Sequence, residues 1–143
     1  MKPTTFLLCI YFFLMCQFIV AQSADDIIGF YYTKDPFSDA ESQVEIYKTK
    51  DGTYSGAVRW IKNLNRKNIK DIGLIFLEGL RYDAQKKEWV NGSIRYPGRP
   101  GVFDTYMSFD SKKVLKVRGY LLISVLGKTV YWTKEKEKRI PHL

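Results

Sequence analysis

The side chains that could perform acid-base, nucleophilic or metal chemistry are few in this sequence. His142 is the only histidine, and it is the penultimate residue, in the tail that begins with a charged run. General-base catalysis by an imidazole, Ser-His triads and histidine-rich metal sites all require histidine at the site. The two cysteines, Cys9 and Cys16, both lie in an apolar N-terminal segment. We therefore expect a protein that is not an enzyme and has no metal or cofactor.

Carboxylates could still act as a catalytic pair, but their spacing does not bring them together. The adjacent or nearby acidic pairs are Asp25 with Asp26 and Glu41 with Glu45. They lie at expected turns and strand starts, so we interpret them as solvated surface groups.

Two short motifs resemble functional ones and are better explained as turns. Gly127-Lys128-Thr129 resembles the end of a phosphate-binding loop, but Leu122 stands where that motif needs its first glycine. Asn91-Gly92-Ser93 matches a glycosylation sequon. We predict a hairpin turn at each.

Arginines next to aromatic residues are the strongest candidates for binding. The pairs are Arg59-Trp60, Arg81-Tyr82, Arg95-Tyr96 and Arg118-Gly119-Tyr120. Adjacent residues of a strand point to opposite faces, so one pocket cannot hold both members of a pair. This argues against a platform of stacked aromatics and basic groups, and we expect no nucleic-acid partner.

The N-terminal residues indicate export. After Lys2 no charged residue occurs until Asp25, and residues 6–20 are almost wholly apolar, as in a signal peptide. The run is shorter than the roughly 20 residues of a membrane-spanning helix, so we expect cleavage rather than anchoring by an uncleaved segment. We predict a signal peptide over residues 1–22, one domain over 23–134 and a charged tail over 135–143, in a periplasmic or secreted protein.

The dominant period of the remaining chain is two, which is typical of strands with one buried face. Alternating apolar residues occur around residues 28–32, 44–46, 54–60, 103–109, 115–117 and 130–132. Turn signals such as Asp51-Gly52 and Pro97-Gly98 separate them. The pattern predicts an all-β, antiparallel meander that either closes as a barrel or stacks as a sandwich, and we develop the barrel below.

Three segments lack this alternation. Residues 72–77 and 121–126 are apolar on both faces, so each is either a buried strand or a short helix, and we favour the strand. Residues 62–70 are basic and predict a long surface loop.

Within such a barrel, the candidate ligand-binding residues are Arg59, Arg118, Tyr31, Trp60, Tyr120 and Trp132. Tyr31 and Trp132 should pack together where the first and last strands meet, or line a ligand cavity. In one interpretation the arginines coat the outside of the barrel. In the other, Arg118 or Arg59 points into the barrel mouth and binds an anionic head group.

Two functions are favoured at this point over a third, an enzyme that works through carboxylates and tyrosines. The first is an exported binding module that holds a small apolar or amphipathic molecule, with an anionic head group as one option. The second is an envelope interaction protein whose barrel is filled by its own side chains and whose basic loop, residues 62–70, contacts an anionic envelope surface. The formal net charge of +8 favours anionic partners in both cases.

An ordered series of segments resembles a bacterial family called domain of unknown function 2147. They are residues 26–31, 44–47, 56–60, 71–74, 115–120 (LKVRGY) and 126–133 (LGKTVYWT). The resemblance implies a small exported protein with a lipocalin-like, or calycin-like, barrel, and it implies no activity. With it, we predict an all-β, antiparallel, lipocalin-like barrel of about eight to ten strands. The family pattern Gly-x-Trp is replaced here by Gly29-Phe30-Tyr31, so the hydroxyl of Tyr31 needs a partner if it is buried.

Overall fold

The computed structural model describes residues 3–4, 21–123 and 125–143. Most of the predicted signal peptide therefore lies outside the described residues. None of the described helices has the length and apolar character needed to cross a bilayer. The eight strands are β1 Gly29–Lys34, β2 Glu41–Lys48, β3 Tyr54–Ile61, β4 Ile75–Asp83, β5 Glu88–Ile94, β6 Phe103–Ser111, β7 Val114–Tyr120 and β8 Gly127–Glu135.

Each strand pairs antiparallel with the next in the chain, and β1 pairs with β8, so the sheet closes into an eight-stranded barrel. At the closure Tyr31 lies opposite Lys134, and Tyr32 lies opposite Thr133. The predicted all-β, antiparallel barrel is confirmed. A closed barrel leaves no edge strand unpaired.

The period of two sets which side chains enter the barrel. In β7 the buried residues Leu115, Val117 and Gly119 alternate with half-buried ones. The interior is filled largely by the chain itself: the most buried core residues are Ile27, Tyr31, Ile46, Leu77, Leu80, Trp89, Ile94, Met107, Leu115 and Val117.

One end of the barrel, which we call the closed end, is covered by a 3-10 helix over Ala24–Ile27. Trp89 donates its indole N–H to the carbonyl of Ala24 at 3.0 Å. Tyr31 donates its hydroxyl to the carbonyl of Ile27 at 2.7 Å, which supplies the partner that a buried tyrosine needs. Burial raises the pKa of Tyr31. These bonds fix the helix as a plug beneath the core.

The opposite end, which we call the open end, carries four longer connections, residues 35–40, 62–74, 95–102 and 121–126. The connection at 62–74 contains a second 3-10 helix, Ile69–Asp71, and β4 begins only at Ile75. The strand expected over residues 72–77 is therefore confirmed only for its second half.

Three local predictions are wrong. Gly127, Lys128 and Thr129 begin β8 and do not form the predicted hairpin turn. The segment 121–126 is not a strand but a turn between β7 and β8, in which Leu121 N–H donates to the carbonyl of Leu126 at 3.1 Å. Asn91, Gly92 and Ser93 lie inside β5 rather than in a turn. Asn91 has a φ of 61°, and the pairing of β5 with β6 shifts between Trp89 and Gly92. The residue types that suggested a turn form a bulge instead.

The charged tail also differs from the solvated run that its composition suggests. Gln43, fully buried, donates to the carbonyl of Glu137 at 2.8 Å and accepts from the backbone N–H of Arg139 at 2.8 Å. The guanidinium of Arg139 lies over the rings of Tyr32 and Trp60, 5.0 and 4.7 Å from their centroids. The start of the tail is thus fixed to the outer face of the barrel.

Candidate functional site

A cavity of about 190 Å³ opens at the open end of the barrel. It lies below the connection 35–40 and between the ends of β1, β2, β3 and β4. Its walls are mainly apolar, and polar groups occur at its rim. The lining residues are Thr33, Lys34, Asp35, Pro36, Ser38, Ala40, Glu41, Ser42, Val44, Val58, Ile61, Asn68, Asp71, Phe76, Tyr96, Pro97 and Trp132.

The floor of the cavity consists of four core side chains from four strands. Val44 and Val58 are directly opposite each other in the β2–β3 pair. Phe76 and Trp132 pack together with their ring centroids 6.0 Å apart. All four are nearly fully buried, so a molecule in the cavity would rest on an apolar surface continuous with the core.

The carboxylate of Glu41, whose charge is balanced by neighbouring lysines, lies on one side of the rim. Glu41 accepts hydrogen bonds from Lys62 and from the hydroxyl of Tyr32, and Lys34 lies 3.6 Å away. The bonds from Lys62 and Tyr32 lower the pKa of Glu41 to about 2. The same carboxylate raises the pKa of Lys62 and of Tyr32. Glu41 is therefore a fixed anion at the rim and not the solvated group that the sequence suggested.

An aromatic cluster forms the other side of the rim. The ring of Phe37 lies against Tyr96 and Phe103, with centroids 5.4 and 5.6 Å away. The guanidinium of Arg99 lies 4.2 Å from the centroid of Phe37. Burial, and the nearby charge of Asp35, raise the pKa of Tyr96 to about 12. The cluster ties the connections 35–40 and 95–102 together beside the cavity.

The polar groups of the site already satisfy one another. Every buried side-chain nitrogen and oxygen within the described part of the chain has a hydrogen-bond partner. Within the same ranges, no cluster of three histidine, cysteine or acidic side chains could hold a metal ion. The apolar floor of the cavity can therefore accept an apolar group, while the polar side chains at the rim keep contact with water.

Two of the six predicted site residues lie inside the barrel. The rings of Tyr31 and Trp132 pack together with centroids 6.3 Å apart, next to the β1–β8 closure. The predicted contact is thus present. Trp132 also lines the cavity, whereas Tyr31 points towards the closed end through its bond to Ile27.

Arg59 and Trp60 both lie on the outer face, so the interpretation in which Arg59 points into the barrel mouth does not hold, and Trp60 does not line the interior. Arg59 donates to Glu45 at 2.6 Å on the neighbouring strand. The pairing of β2 with β3 shifts between Gln43 and Val44, so that one extra residue is accommodated in β3. Such a bulge breaks the alternation of faces and turns neighbouring side chains the same way.

Arg118 and Tyr120 lie on the outer face as well. They alternate along β7 with the buried residues Leu115, Val117 and Gly119, which face the interior. Arg118 donates to the hydroxyl of Thr129 at 3.1 Å and to the carbonyl of Val125 at 3.3 Å. The ring of Tyr120 packs against the ring of Tyr106, with their centroids 6.1 Å apart. The interpretation in which Arg118 points into the barrel mouth and meets an anionic head group therefore does not hold. The interpretation with arginines outside agrees with both placements.

Most of the cavity residues were not singled out in the sequence. Thr33, Ser42, Val58, Ile61 and Phe76 have no distinctive motif. Their position in the sequence could have identified them, because each lies within a few residues of a strand end at the same end of the barrel. Strand order alone would have grouped them.

Comparisons with known proteins agree with this architecture. The sequence matches, over residues 29–134, the family described as "Uncharacterized protein conserved in bacteria (DUF2147)". A solved structure, protein HP1028 from the human pathogen Helicobacter pylori, described as belonging to the lipocalin family, superposes with a TM-score of 0.64 at 16% identity. The match covers 78% of this chain and 84% of that one, and it shows a shared lipocalin-like fold. No curated protein sequence matches this chain. Because the family match spans most of the sequence, the chain belongs to the DUF2147 family of bacterial proteins.

Proposed function

We propose that this chain is an exported binding module that holds one small, mainly apolar molecule in the cavity at the open end of the barrel. The observation that carries the proposal is the cavity itself, about 190 Å³ above a floor of Val44, Val58, Phe76 and Trp132. The charged and apolar N-terminal segment supports export. An eight-stranded barrel has room for its own side chains or for one small ligand.

The volume sets the size of the ligand. Drug-sized pockets occupy roughly 300–1,000 Å³, and an apolar cavity of about 150 Å³ holds benzene. A space of about 190 Å³ therefore suits one ring or a short branched chain. A longer molecule would extend past the rim into solvent.

The rim favours a neutral or cationic polar end over the anionic head group that the sequence suggested. The arginines on which that prediction depended lie outside the barrel. At the rim itself, Asp35, Glu41 and Asp71 line the cavity with one lysine, Lys34. Lys62 also neutralises part of the Glu41 charge, so we expect a modest preference.

Native mass spectrometry of the protein purified from the cells that produce it tests the proposal. We expect a retained small molecule that is lost in Val58→Phe, whose larger ring enters the cavity. In parallel, tryptamine, indole and indole-3-acetate present the same ring with a cationic, absent or anionic side group. We expect indole-3-acetate to bind most weakly. A chain that retains no molecule and binds none of the three probes would refute the proposal.

The basic connection between β3 and β4 supports the second function, contact with an anionic envelope surface. Arg66, Lys67 and Lys70 are exposed there. Asn65 and Asn68 hold the connection in shape, since Asn65 N–H donates to the Asn68 side chain at 2.7 Å. Such contact should weaken steeply with salt, whereas an apolar ligand in the cavity should be nearly indifferent to salt.

A further inference from the structure

The turn between β7 and β8 exposes a set of large apolar side chains that the core does not use. Leu122 and Val125 are 89% and 79% exposed. Ile123 and Leu126 are also more than half exposed. Contiguous exposed apolar side chains on a protruding turn mark an interaction site.

The backbone of the turn is strained where exposure is greatest. Leu122 has a φ of 66°, in the left-handed region that a branched side chain rarely adopts. Both the left-handed backbone and the exposed side chain of Leu122 are unfavourable for the stability of the fold. Backbone outliers of this kind persist at functional positions.

The hairpin that carries the turn is strongly basic. From Lys112 to Lys134 the sequence contains six lysines and arginines and no acidic residue. Three of these cations lie towards the tip: Lys116 and Arg118 on the outer face of β7, and Lys128 at the second position of β8. Lys128 also donates to the carbonyl of Pro36 at 3.1 Å. The other three, Lys112, Lys113 and Lys134, lie at the closed end of the barrel. The surface around the apolar tip is therefore complementary to an anionic one.

The residue types are arranged in layers along the hairpin. The apolar tip is followed by Tyr120, whose ring contacts Tyr106, and then by Arg118 two residues further along β7. At about 3.3 Å per residue, Arg118 lies roughly 7 Å beyond Tyr120. Membrane-bound segments show the same order, with apolar side chains in the acyl region, tyrosines at the interface and cations at the lipid head groups.

We propose that the β7–β8 turn inserts its apolar tip into the surface of a lipid bilayer that contains anionic lipids. A protruding tip with consecutive apolar side chains suits a soft hydrocarbon phase, and its basic flank suits anionic head groups. The turn and the cavity lie at the same end of the barrel, so this docking would turn the cavity mouth towards the membrane. The proposal does not depend on ligand binding in the cavity.

A fluorescent label at the tip tests the insertion directly. Residues 21–143 contain the complete barrel and its described core and no cysteine, so this part of the chain can be purified without the apolar N-terminal segment. Leu122→Cys, labelled with an NBD fluorophore, provides the probe. Ile140→Cys, at a site that is 69% exposed in the tail, provides the matched control. Circular dichroism verifies that both variants are folded.

With vesicles of equal parts phosphatidylcholine and phosphatidylglycerol, we expect the label at residue 122 to brighten and shift to the blue, and the label at residue 140 to stay unchanged. Partition into phosphatidylcholine alone should be at least about tenfold weaker. Lys116→Gln and Lys128→Gln should each weaken partition about fivefold. Lys67→Gln and Lys70→Gln, in the other basic connection, should have less effect.

Three results would overturn the proposal. The labelled chain could fail to bind the anionic vesicles. It could bind them with no change at residue 122, which would assign the contact to another surface. It could form dimers that Leu122→Asp abolishes while vesicles leave the label unaffected, which would assign the tip to a second copy of the chain.

Discussion

The two ends of the barrel are covered in different ways. At the closed end a 3-10 helix is fixed by hydrogen bonds from Tyr31, Tyr54 and Trp89. At the open end, long connections surround a cavity and leave apolar side chains exposed. The same set of strands thus supports a packed, hydrogen-bonded base and a looser rim. The contrast indicates that the base stabilises the fold and that the rim is the part available for binding.

The largest expected effect is at the closed end. Trp89→Ala removes a fully buried indole and its bond to the carbonyl of Ala24. We expect the free energy of unfolding to fall by about 3–5 kcal/mol. Leu122→Ala, at the open end, should change it by no more than about 0.5 kcal/mol. Urea denaturation of both variants measures the difference, and similar losses would remove the distinction between the two ends.

The next test compares overpacking inside and beside the cavity. Val117→Phe forces a ring into filled core and should cost about 1–3 kcal/mol. Val58→Phe can extend its ring into the cavity and should cost less than about 1 kcal/mol. Chemical denaturation measures both. Equal costs would show that the cavity cannot accept added volume.

A single hydroxyl tests the hydrogen bond that holds the plug. Tyr31→Phe removes the donor to the carbonyl of Ile27, and we expect a loss of about 1–2 kcal/mol in the free energy of unfolding. Tyr131→Phe is the matched control, because Tyr131 is mainly exposed on the same strand pair. Faster amide hydrogen exchange over Ala24–Ile27 in Tyr31→Phe, but not in Tyr131→Phe, would show that the lost stability comes from the 3-10 helix. No difference between the two variants would contradict it.

The smallest effect is a pH dependence shared by both ends. The bonds from Lys62 and Tyr32 hold the pKa of Glu41 at about 2, below its ordinary value of 4.5. Bonds from Thr49 and Thr53 also lower the pKa of Asp51, in the β2–β3 turn, to about 2. A lowered carboxyl pKa stabilises the fold above the ordinary value, and that contribution is lost as the pH falls towards 2.

We therefore expect Glu41→Gln and Asp51→Asn each to make the acid loss of stability shallower. The two sites lie at opposite ends, so their effects should add in the double variant. Urea denaturation at several pH values between 6 and 2 measures the slopes. An unchanged acid slope in Glu41→Gln would mean that this carboxylate is not held by its neighbours.

The sequence predicts the elements of the fold better than it predicts the site. Alternating apolar residues predict strands because each strand has one buried face, and the Tyr31–Trp132 contact follows from the meeting of the first and last strands. The outward position of Arg59 follows from the alternation with Val58, but that of Trp60 could not be predicted, because the β-bulge that causes it depends on the pairing with β2. The apolar side chains at residues 121–123 and 125–126 are exposed in a turn. An argument that assumes apolar residues are buried interprets them as a strand.

The cavity could not be predicted from the sequence for a related reason. Its floor residues, such as Val44 and Val58, have the same apolar character as the rest of the core. What distinguishes them is the space above them, which the connections 35–40 and 62–74 leave unfilled. That space is a property of loop geometry and not of residue type.

Methyl NMR of the purified barrel with indole as the probe tests the central claim that binding belongs to the open end. Val44, Val58 and Ile61 line the cavity, whereas Ile46 and Val117 belong to the filled core. We predict that indole shifts the methyl signals of the first three and leaves those of the other two unchanged. Shifts centred on Ile46 and Val117, or no shift at saturating indole, would contradict the account.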